Sequence, residues 1–243
     1  MAQPLATSRT AMPVSRPTRE WESIATWANA MTLARTSIAV PLGVYALVEA
    51  STALLVVAYG TYWIGDMLDG WLARRLDQET RIGATLDIIS DRACCSVLVC
   101  ALAVIHPNMW PALAVFLLQF MVLDCVLSLS FLRWSLVSPN YFYRVDLTVW
   151  RFNWSPPAKT VNTVAVVIAV LSGLMPVAMV IALGQLTLKV WSAYRVLKLD
   201  LNREPDDGHP LDLAERADRS DQTDRTDQTA VTQKLDLTQT TDE

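Results

Sequence analysis

The sequence DMLDGWLARRLDQETRIGATLDIISD, residues 66–91, decides how the rest of this chain is interpreted. Its four carboxylates form two pairs, Asp66 with Asp69 and Asp87 with Asp91, and long apolar segments flank the stretch. Residues three or four apart lie on one face of a helix, so each pair forms a patch of two carboxylates. One ionisable residue inside a membrane helix costs roughly 2.5–3.5 kcal/mol, and four would cost on the order of 10 kcal/mol. The stretch therefore predicts a compensating charge, which we interpret as a divalent cation bound by oxygens from two antiparallel helices.

Small residues follow the same helical faces as the carboxylates. They are Gly70, Ala73 and Gly83, each four positions from one of the aspartates. Residues of this size allow a bulky ligand to approach the backbone closely, although plain helix packing would use the same residues. A cation site with a floor of small residues suits a nucleotide diphosphate, which is the ligand that this stretch predicts.

Eight positions fit the pattern D-x2-D-G-x2-A-R-x8-G-x3-D-x3-D without a mismatch. They are Asp66, Asp69, Gly70, Ala73, Arg74, Gly83, Asp87 and Asp91. The pattern resembles the signature of the CDP-alcohol phosphotransferase family, which consists of integral membrane enzymes that make phospholipids. The resemblance covers about Ala28 to Tyr194 and does not extend to the C-terminal tail.

The resemblance implies a phosphatidyltransferase that transfers a phosphatidyl group from CDP-diacylglycerol to a hydroxyl acceptor and releases CMP. It implies that Asp66, Asp69 and Asp87 bind one or two Mg²⁺ or Mn²⁺ ions, and that Asp91 completes or flanks the metal site. The charges agree with this, because bare carboxylates would repel a pyrophosphate unless metal ions lay between them. Asp91 is the carboxylate farthest along the chain, and we expect it to act as the general base for the acceptor hydroxyl.

Six residues are expected to bind the CDP-linked donor: Gly70, Ala73, Arg74, Gly83, Thr32 and Arg35. Arg74, at the edge of the metal face, would bind donor phosphate, and a juxtamembrane anchor is its alternative role. The segment from Asn29 to Arg35 is similar to an NxxTxxR motif that opens the first span of glycerophosphate-type members. The alternative for this segment is a helix start with an arginine that extends toward the interface.

An acceptor with a phosphate needs a cationic subsite near the general base. The candidates at the inner ends of the later spans are Arg133, Lys159 and Arg195. Residues 157–160 and 79–87 are similar to stretches of phosphatidylglycerophosphate synthases, which favours glycerol 3-phosphate as the acceptor. Ile88 stands where that subfamily usually has proline, so inositol phosphate and phosphatidylglycerol stay open as alternatives.

Hydropathy predicts an all-α polytopic membrane protein with six transmembrane helices. We place them near Ala30–Val48, Thr52–Arg75, Gly83–Ile105, Pro111–Leu132, Thr160–Leu174 and Pro176–Tyr194. A short interfacial helix is expected over Arg19–Ala28, and an extension of the first span is the alternative. The aromatic and basic segment 133–159 is expected to lie along the membrane surface, and direct participation in the site is the alternative.

Composition divides the chain into three parts. The chain is 52% hydrophobic, and of its 24 acidic and 20 basic residues, 13 and 5 lie from Asp200 onward, which leaves 11 and 15 in the body. Residues 19–199 are expected to form the membrane domain. The polar ends, residues 1–18 and 200–243, are expected to be disordered because they would bury too little apolar surface to offset their ordering entropy.

The distribution of basic residues predicts the orientation in the membrane. The connections Glu49–Ser51, His106–Asn108 and Gly173–Pro176 contain no Lys or Arg, whereas the connections on the other side contain many. By the positive-inside rule, both termini and the carboxylate pairs are cytoplasmic. The expected partners are the cell membrane, CDP-diacylglycerol and the acceptor, with no nucleic acid, and the resemblance leaves a homodimer open.

Further expectations concern the cysteines, the alternative class of protein and the condition for metal binding. The four cysteines lie in apolar segments without CxxC or Cys/His spacing, so neither a disulfide nor a zinc site is expected. A divalent-cation transporter is the alternative from another class, but the aspartates lie at the ends of spans and no inverted repeat is visible. The metal hypothesis requires the four carboxylates to surround one space, and it would fail if arginine salt bridges left no room for metal.

Overall fold

Three long helices form the N-terminal half of the structure. They are α1 (Trp27–Val48), α2 (Thr52–Arg75) and α3 (Arg81–Ile105). Each begins after a hydroxyl residue whose side chain accepts a backbone hydrogen bond from the first turn, namely Thr26, Ser51 and Thr80. Such caps satisfy N–H groups that a helix otherwise leaves without partners. α1 packs against both α2 and α3, so the first three helices bring their facing side chains together.

The second half is less regular. It contains α4 (Trp110–Leu118), a π-helical segment (Gln119–Asp124), α5 (Cys125–Leu129), α6 (Leu147–Asn153), α7 (Pro156–Leu171) and α8 (Met175–Leu197). Short 3₁₀ turns lie at Pro107–Met109, Ser130–Trp134 and Pro139–Arg144. The computed structural model describes residues 23–200 together with residues 205, 206 and 208, and this part of the chain contains no strand. The expectation of an all-α fold is confirmed for these residues.

Four segments of the described residues are long and apolar enough to cross a membrane: α1, α3, the continuous run Pro107–Trp134, and α8. By length and composition, the prediction of six spans is therefore wrong. α2 has 24 residues but carries two aspartates and two arginines in its C-terminal half, which reduce its apolarity. α7 has 16 residues, fewer than the roughly 17–25 that cross a bilayer.

Within the described residues, the predicted interfacial helix fails over residues 23–26, and Trp27 and Ala28 belong to the first long helix. Residues 23–26 are not helical, and α1 begins at Trp27 because Thr26 Oγ1 accepts a hydrogen bond from Asn29 N at 3.1 Å. Residues 1–22 lie outside the described part of the chain, as do the residues after 200 apart from 205, 206 and 208. The disorder expected at both ends of the chain therefore falls almost entirely outside the described residues.

The segment 133–159 packs into an apolar cluster that it shares with α3, α5 and α8. Phe142 is fully buried, and its ring lies 5.6 Å from the ring of Trp134 and 4.9 Å from that of Trp154. Ile88 of α3 belongs to the same cluster of buried residues. Several aromatic residues of the segment thus pack inward and hold it against α3, and its position along the membrane surface stays a prediction.

Candidate active site

The four aspartates of the sequence motif converge on one arginine. Arg35 Nε donates to Asp69 Oδ2 at 2.8 Å, and Arg35 Nη2 donates to Asp91 Oδ1 at 3.0 Å and to Asp87 Oδ1. Arg35 Nη2 also lies 3.4 Å from Asp66 Oδ1. We call Asp66, Asp69, Asp87 and Asp91 the aspartate cluster. Its two predicted pairs, one on α2 and one on α3, face the same arginine of α1.

A close helix crossing makes room for this arginine. A Cβ atom added to Gly65 would lie 2.5 Å from Arg35 Cβ and 2.8 Å from Arg35 Cδ. Real side chains do not approach so closely, so α1 and α2 cross here because residue 65 has no side chain. The polar residues Asn29, Thr32 and Arg35 recur every three positions on α1, and all three are buried.

Gly65→Ala is expected to lower the free energy of unfolding by about 1–3 kcal/mol, the usual cost of forcing extra volume into a packed site. The matched control is Gly60→Ala on the same helix, where an added Cβ meets no atom within 4 Å. That control is expected to be neutral or to stabilise the helix by up to about 1 kcal/mol. Thermal unfolding of both purified variants measures the difference, and equal effects would contradict the close crossing.

The cluster has a closed side and an open side. The side chains of Arg35 and Asp69 are 1% and 5% exposed, whereas those of Asp66 and Asp87 are 40% and 39% exposed. Thr32 Oγ1 donates to Asp69 Oδ2 at 2.8 Å and helps to fix this carboxylate. Arg35 and Asp69 therefore form the floor of the site, and Asp66 and Asp87 present their carboxylates at its opening.

The residues present fit a divalent cation. One carboxylate oxygen each from Asp66, Asp69 and Asp87 lies within 4.8 Å of the other two. Mg²⁺ binds oxygens at 2.0–2.1 Å, so two ligands on opposite sides of the ion are about 4.2 Å apart, and a small side-chain rotation would achieve this. The formal charge of the cluster with Arg35 is −3, since four carboxylates meet one guanidinium.

The arginine salt bridges do not use up the carboxylates. Arg35 contacts one oxygen of each aspartate, Oδ2 of Asp69 and Oδ1 of the other three. Within the described part of the chain, the second oxygen of each carboxylate accepts no hydrogen bond. Each carboxylate thus keeps one oxygen that Arg35 does not contact. Oxygens of three of the aspartates, Asp66, Asp69 and Asp87, lie close enough together to hold one metal ion, and Asp91 is not part of this group.

An open cleft adjoins Asp69 and Asp87. Five of the six residues expected to bind the donor line it: Thr32, Gly70, Ala73, Arg74 and Gly83. The sixth, Arg35, is buried beneath the carboxylates and is absent from the lining. A Cβ added to Gly83 would lie 2.7 Å from Asn29 Oδ1, so this glycine also serves the packing of α1 against α3.

The cleft is also lined by residues to which the sequence assigned no role. They include Gln78, Ser138 and Asn140. No local motif marks them, because the α2–α3 loop and segment 133–159 meet only in the folded chain. Asn29 and Glu79 also line the cleft, and both lie in motif-like segments, Asn29 to Arg35 and residues 79–87.

Two hydrogen bonds hold the α2–α3 loop beside the cleft. Trp27 N donates to Gln78 Oε1 at 3.0 Å, and Tyr141 Oη donates to Glu79 Oε2 at 2.7 Å. Burial raises the pKa of Tyr141 to about 12, and the carboxylate of Glu79 adds to the shift. Tyr141 therefore stays a neutral donor throughout the physiological pH range, and this contact does not switch with pH.

The three candidate acceptor cations have different surroundings. Lys159 Nζ donates at 2.7 Å to Asn140 Oδ1, and Asn140 lines the cleft. Arg195 Nε donates to Asp146 Oδ2 at 2.7 Å, and the Arg133 guanidinium lies 4.9 Å from the centre of the Trp134 ring. None of the three candidates lines the cleft itself. Lys159 reaches it indirectly, through its hydrogen bond to Asn140.

A second buried polar network lies behind the aspartate cluster. Asp124, in the π-helical segment, forms ion pairs with both Arg92 of α3 and Lys189 of α8. Lys189 Nζ also donates to Asn153 Oδ1 at 2.8 Å, and Asn153 Nδ2 donates to Ser192 Oγ at 2.9 Å. Ionisable residues inside apolar segments were the available sequence signal for this network.

The fold and the site together define a class: an all-helical membrane protein with a buried acidic centre that opens onto a polar cleft. The family model for CDP-alcohol phosphatidyltransferase matches residues 25–191, and the chain belongs to that family. This agrees with the resemblance carried by the eight motif positions. The family and the four apolar segments support an integral membrane location.

Curated relatives match over shorter segments. The CDP-diacylglycerol–inositol 3-phosphatidyltransferase of Schizosaccharomyces pombe is 48% identical over 43 residues, which are 18% of each chain. The enzyme of the same name from Candida albicans is 40% identical over 53 residues, 22% of this chain and 23% of the relative. The CDP-diacylglycerol–glycerol-3-phosphate 3-phosphatidyltransferase of Pseudomonas fluorescens is 39% identical over 61 residues, 25% of this chain and 29% of the relative. The matched segments thus cover less than a third of each relative, and no solved structure matches the chain significantly.

Proposed function

We propose that this protein transfers the phosphatidyl group of CDP-diacylglycerol to a hydroxyl acceptor and releases CMP. The observation that carries the proposal is the convergence of the aspartate cluster beside a cleft lined by small residues, in a chain of the CDP-alcohol phosphatidyltransferase family. A negatively charged cluster alone would repel a pyrophosphate. A donor pyrophosphate could therefore bind in the cleft only if the cluster also held a cation.

The aspartate cluster would hold one or two Mg²⁺ or Mn²⁺ ions through the oxygens that Arg35 leaves available. A bound ion would polarise the phosphoryl group and neutralise charge on the departing CMP. Asp69 is fixed by Thr32 and Arg35, so it would serve as a preorganised ligand. Asp66 and Asp87 are more exposed and would complete the set from the open side.

Asp91 is the proposed general base. Its side chain is 22% exposed, and only its Oδ1 is engaged by Arg35, which leaves Oδ2 to accept a proton from the acceptor hydroxyl. The hydroxyl oxygen forms a bond to the lipid-side phosphorus, and the bond from that phosphorus to the oxygen of CMP breaks. CMP leaves with the electron pair of the broken bond, so charge and atoms balance without a further reactant.

Arg74 and Gly70 would bind the donor beside the cluster. A Cβ added to Gly70 would meet only the Arg74 guanidinium, at 3.4 Å from Nη1, so the arginine head lies next to the smallest residue of the cleft wall. A guanidinium in this position can bind a phosphate through two parallel hydrogen bonds. The cytidine would then lie over Gly70 and Ala73, where the wall has the least side-chain volume.

We further propose that both termini and the site face the cytoplasm, which requires that α2 and α7, packed against α1 and α8, also carry the chain across the bilayer although they fall short of the criteria for a span. The support is the excess of Lys and Arg in the connections on the side of the cluster, including Arg74, Arg75 and Arg81 around the α2–α3 loop. A water-soluble acceptor would reach the cleft from that side. A homodimer is compatible with this arrangement.

Glycerol 3-phosphate is the proposed acceptor. It is supported by the similarity of segments 79–87 and 157–160 to phosphatidylglycerophosphate synthases and by the contact of Lys159 with Asn140 at the cleft. An inositol-type acceptor is the second candidate, because two of the relatives are named inositol 3-phosphatidyltransferases. Phosphatidylglycerol is the third acceptor compatible with the same chemistry.

CMP release from CDP-diacylglycerol by the purified full-length chain tests the proposal. The assay compares Mg²⁺, Mn²⁺ and EDTA, each with glycerol 3-phosphate, inositol, inositol phosphate, phosphatidylglycerol or no acceptor, and identifies the lipid product by mass. We expect metal-dependent CMP release with glycerol 3-phosphate and a product of the corresponding mass. Mn²⁺ flux into vesicles without CMP release under any condition would contradict the proposal and favour a transporter.

A further inference from the structure

We propose that Arg35 is an internal counter-ion that holds the aspartate cluster together when no divalent cation is bound, and that a bound cation takes over part of this role. Arg35 is then a positioning residue, distinct from the donor-binding residues of the cleft. The inference deepens the proposed function and rests on the metal binding that it includes.

Arg35 contacts every member of the aspartate cluster. Its Nε and Nη2 atoms reach all four carboxylates, over distances up to 3.4 Å. Among the described residues, no other Lys or Arg nitrogen lies within 4.0 Å of a carboxylate oxygen of the cluster. Four carboxylates at such separations repel one another strongly in a partly buried site, so their convergence depends on this single cation.

Arg35 is buried and does not line the cleft. The side chain is 1% exposed, and its Nη1 atom is buried without a hydrogen-bond partner. An arginine that binds a donor phosphate would need a nitrogen directed into the cleft, and Arg35 is absent from the residues that line it. Its guanidinium also lies 5.4 Å from the centre of the Tyr62 ring. The contacts of the Arg35 charge are thus with the cluster and with Tyr62.

The crossing of α1 with α2 fixes the position of the Arg35 side chain. The stem of Arg35 fills the space that Gly65 leaves open, so the guanidinium is held in place by helix packing. A counter-ion fixed to α1 links this helix to both carboxylate-bearing helices. Without it, the formal charge of the cluster would change from −3 to −4, and the junction of the three helices would depend on a cation from solution.

Thermal unfolding of the full-length protein in detergent tests the proposal, with EDTA or with Mn²⁺ alone and without substrate. The variants are Arg35→Gln, Arg35→Lys and the matched control Arg92→Gln, which removes another buried arginine that pairs with Asp124 instead. We expect Arg35→Gln to lower the melting temperature in EDTA by about 10 °C, and Mn²⁺ to restore at least half of that loss. Arg92→Gln should destabilise the protein with and without Mn²⁺, and its Mn²⁺ shift should match that of the wild type.

Arg35→Lys keeps the test decisive if Arg35→Gln does not fold in either buffer. An ammonium reaches fewer carboxylates than a guanidinium, so the Mn²⁺ shift of this variant should exceed that of the wild type. Equal Mn²⁺ shifts in the wild type and in the Arg35 variants would overturn the proposal. If the wild type nevertheless releases CMP, the counter-ion role fails while the proposed function stands. If Mn²⁺ rescues Arg35→Gln but the wild type never releases CMP, the counter-ion role stands and the proposed function fails.

Discussion

Replacing Asp87 by Asn is expected to lower the rate of metal-dependent CMP release on the order of 10²–10³-fold, the usual cost of losing one preorganised electrostatic group. Asp87 supplies one of the three clustered oxygens and lines the cleft, so it joins the metal site to the donor site. Asn has the same shape and keeps an oxygen for Arg35, so the fold should survive the change. Initial rates of CMP release over a range of Mn²⁺ concentrations measure the effect.

Asp77→Asn is the matched control for this experiment. Asp77 lies in the α2–α3 loop outside the cluster, and its φ of 53° is one that Asn adopts as readily as Asp. We expect this variant to retain the wild-type rate. An Asp87→Asn protein with more than half of the wild-type rate, or an equal loss in both variants, would remove the cluster from the catalytic site.

Replacing Asp124 by Asn is expected to lower the free energy of unfolding by about 3–5 kcal/mol, because it leaves two buried cations without their charge partner. The side chains of Arg92 and Lys189 are 9% and 5% exposed, and both pair with Asp124. Three helical segments meet at this carboxylate, so its loss should loosen α3 and α8 together. Thermal unfolding in the same detergent measures the effect.

The double variant Asp124→Asn with Lys189→Met controls for the number of uncompensated charges. It removes one of the two buried cations, so we expect it to be more stable than Asp124→Asn alone. Mn²⁺ should not rescue either protein, since neither change touches the aspartate cluster. A double variant that is less stable than the single one would show that Lys189 acts mainly through Asn153.

The sequence was sufficient for the helices that position the site. The boundaries of the six predicted segments agree with the observed helices to within four residues, and the aspartate spacing placed each pair on one helical face. These features depend on hydropathy and on the helical period, which are local properties. The span count was wrong because the aspartates of the site and the neighbouring arginines make α2 less apolar, and because α7 is short.

The position of Arg35 could not be predicted in the same way. Its motif indicated the donor side of the site, but its burial depends on a helix crossing at Gly65 that no local pattern encodes. The π-helical segment at Gln119–Asp124 is a similar case, since a residue inserted into a helix is stabilised by contacts with its neighbours. Asp124, Arg92 and Lys189 are 97 residues apart at the extremes, and only the folded chain joins them.

The central claim is that the aspartate cluster binds a divalent cation although an arginine already contacts it. Titration of the purified chain with Mn²⁺, followed by the electron paramagnetic resonance signal of free Mn²⁺, tests this claim without substrate or turnover. The account predicts that the wild type removes one or two Mn²⁺ ions per chain from solution and that the double variant Asp66→Asn with Asp87→Asn removes none above background. Equal uptake by the two proteins would contradict it.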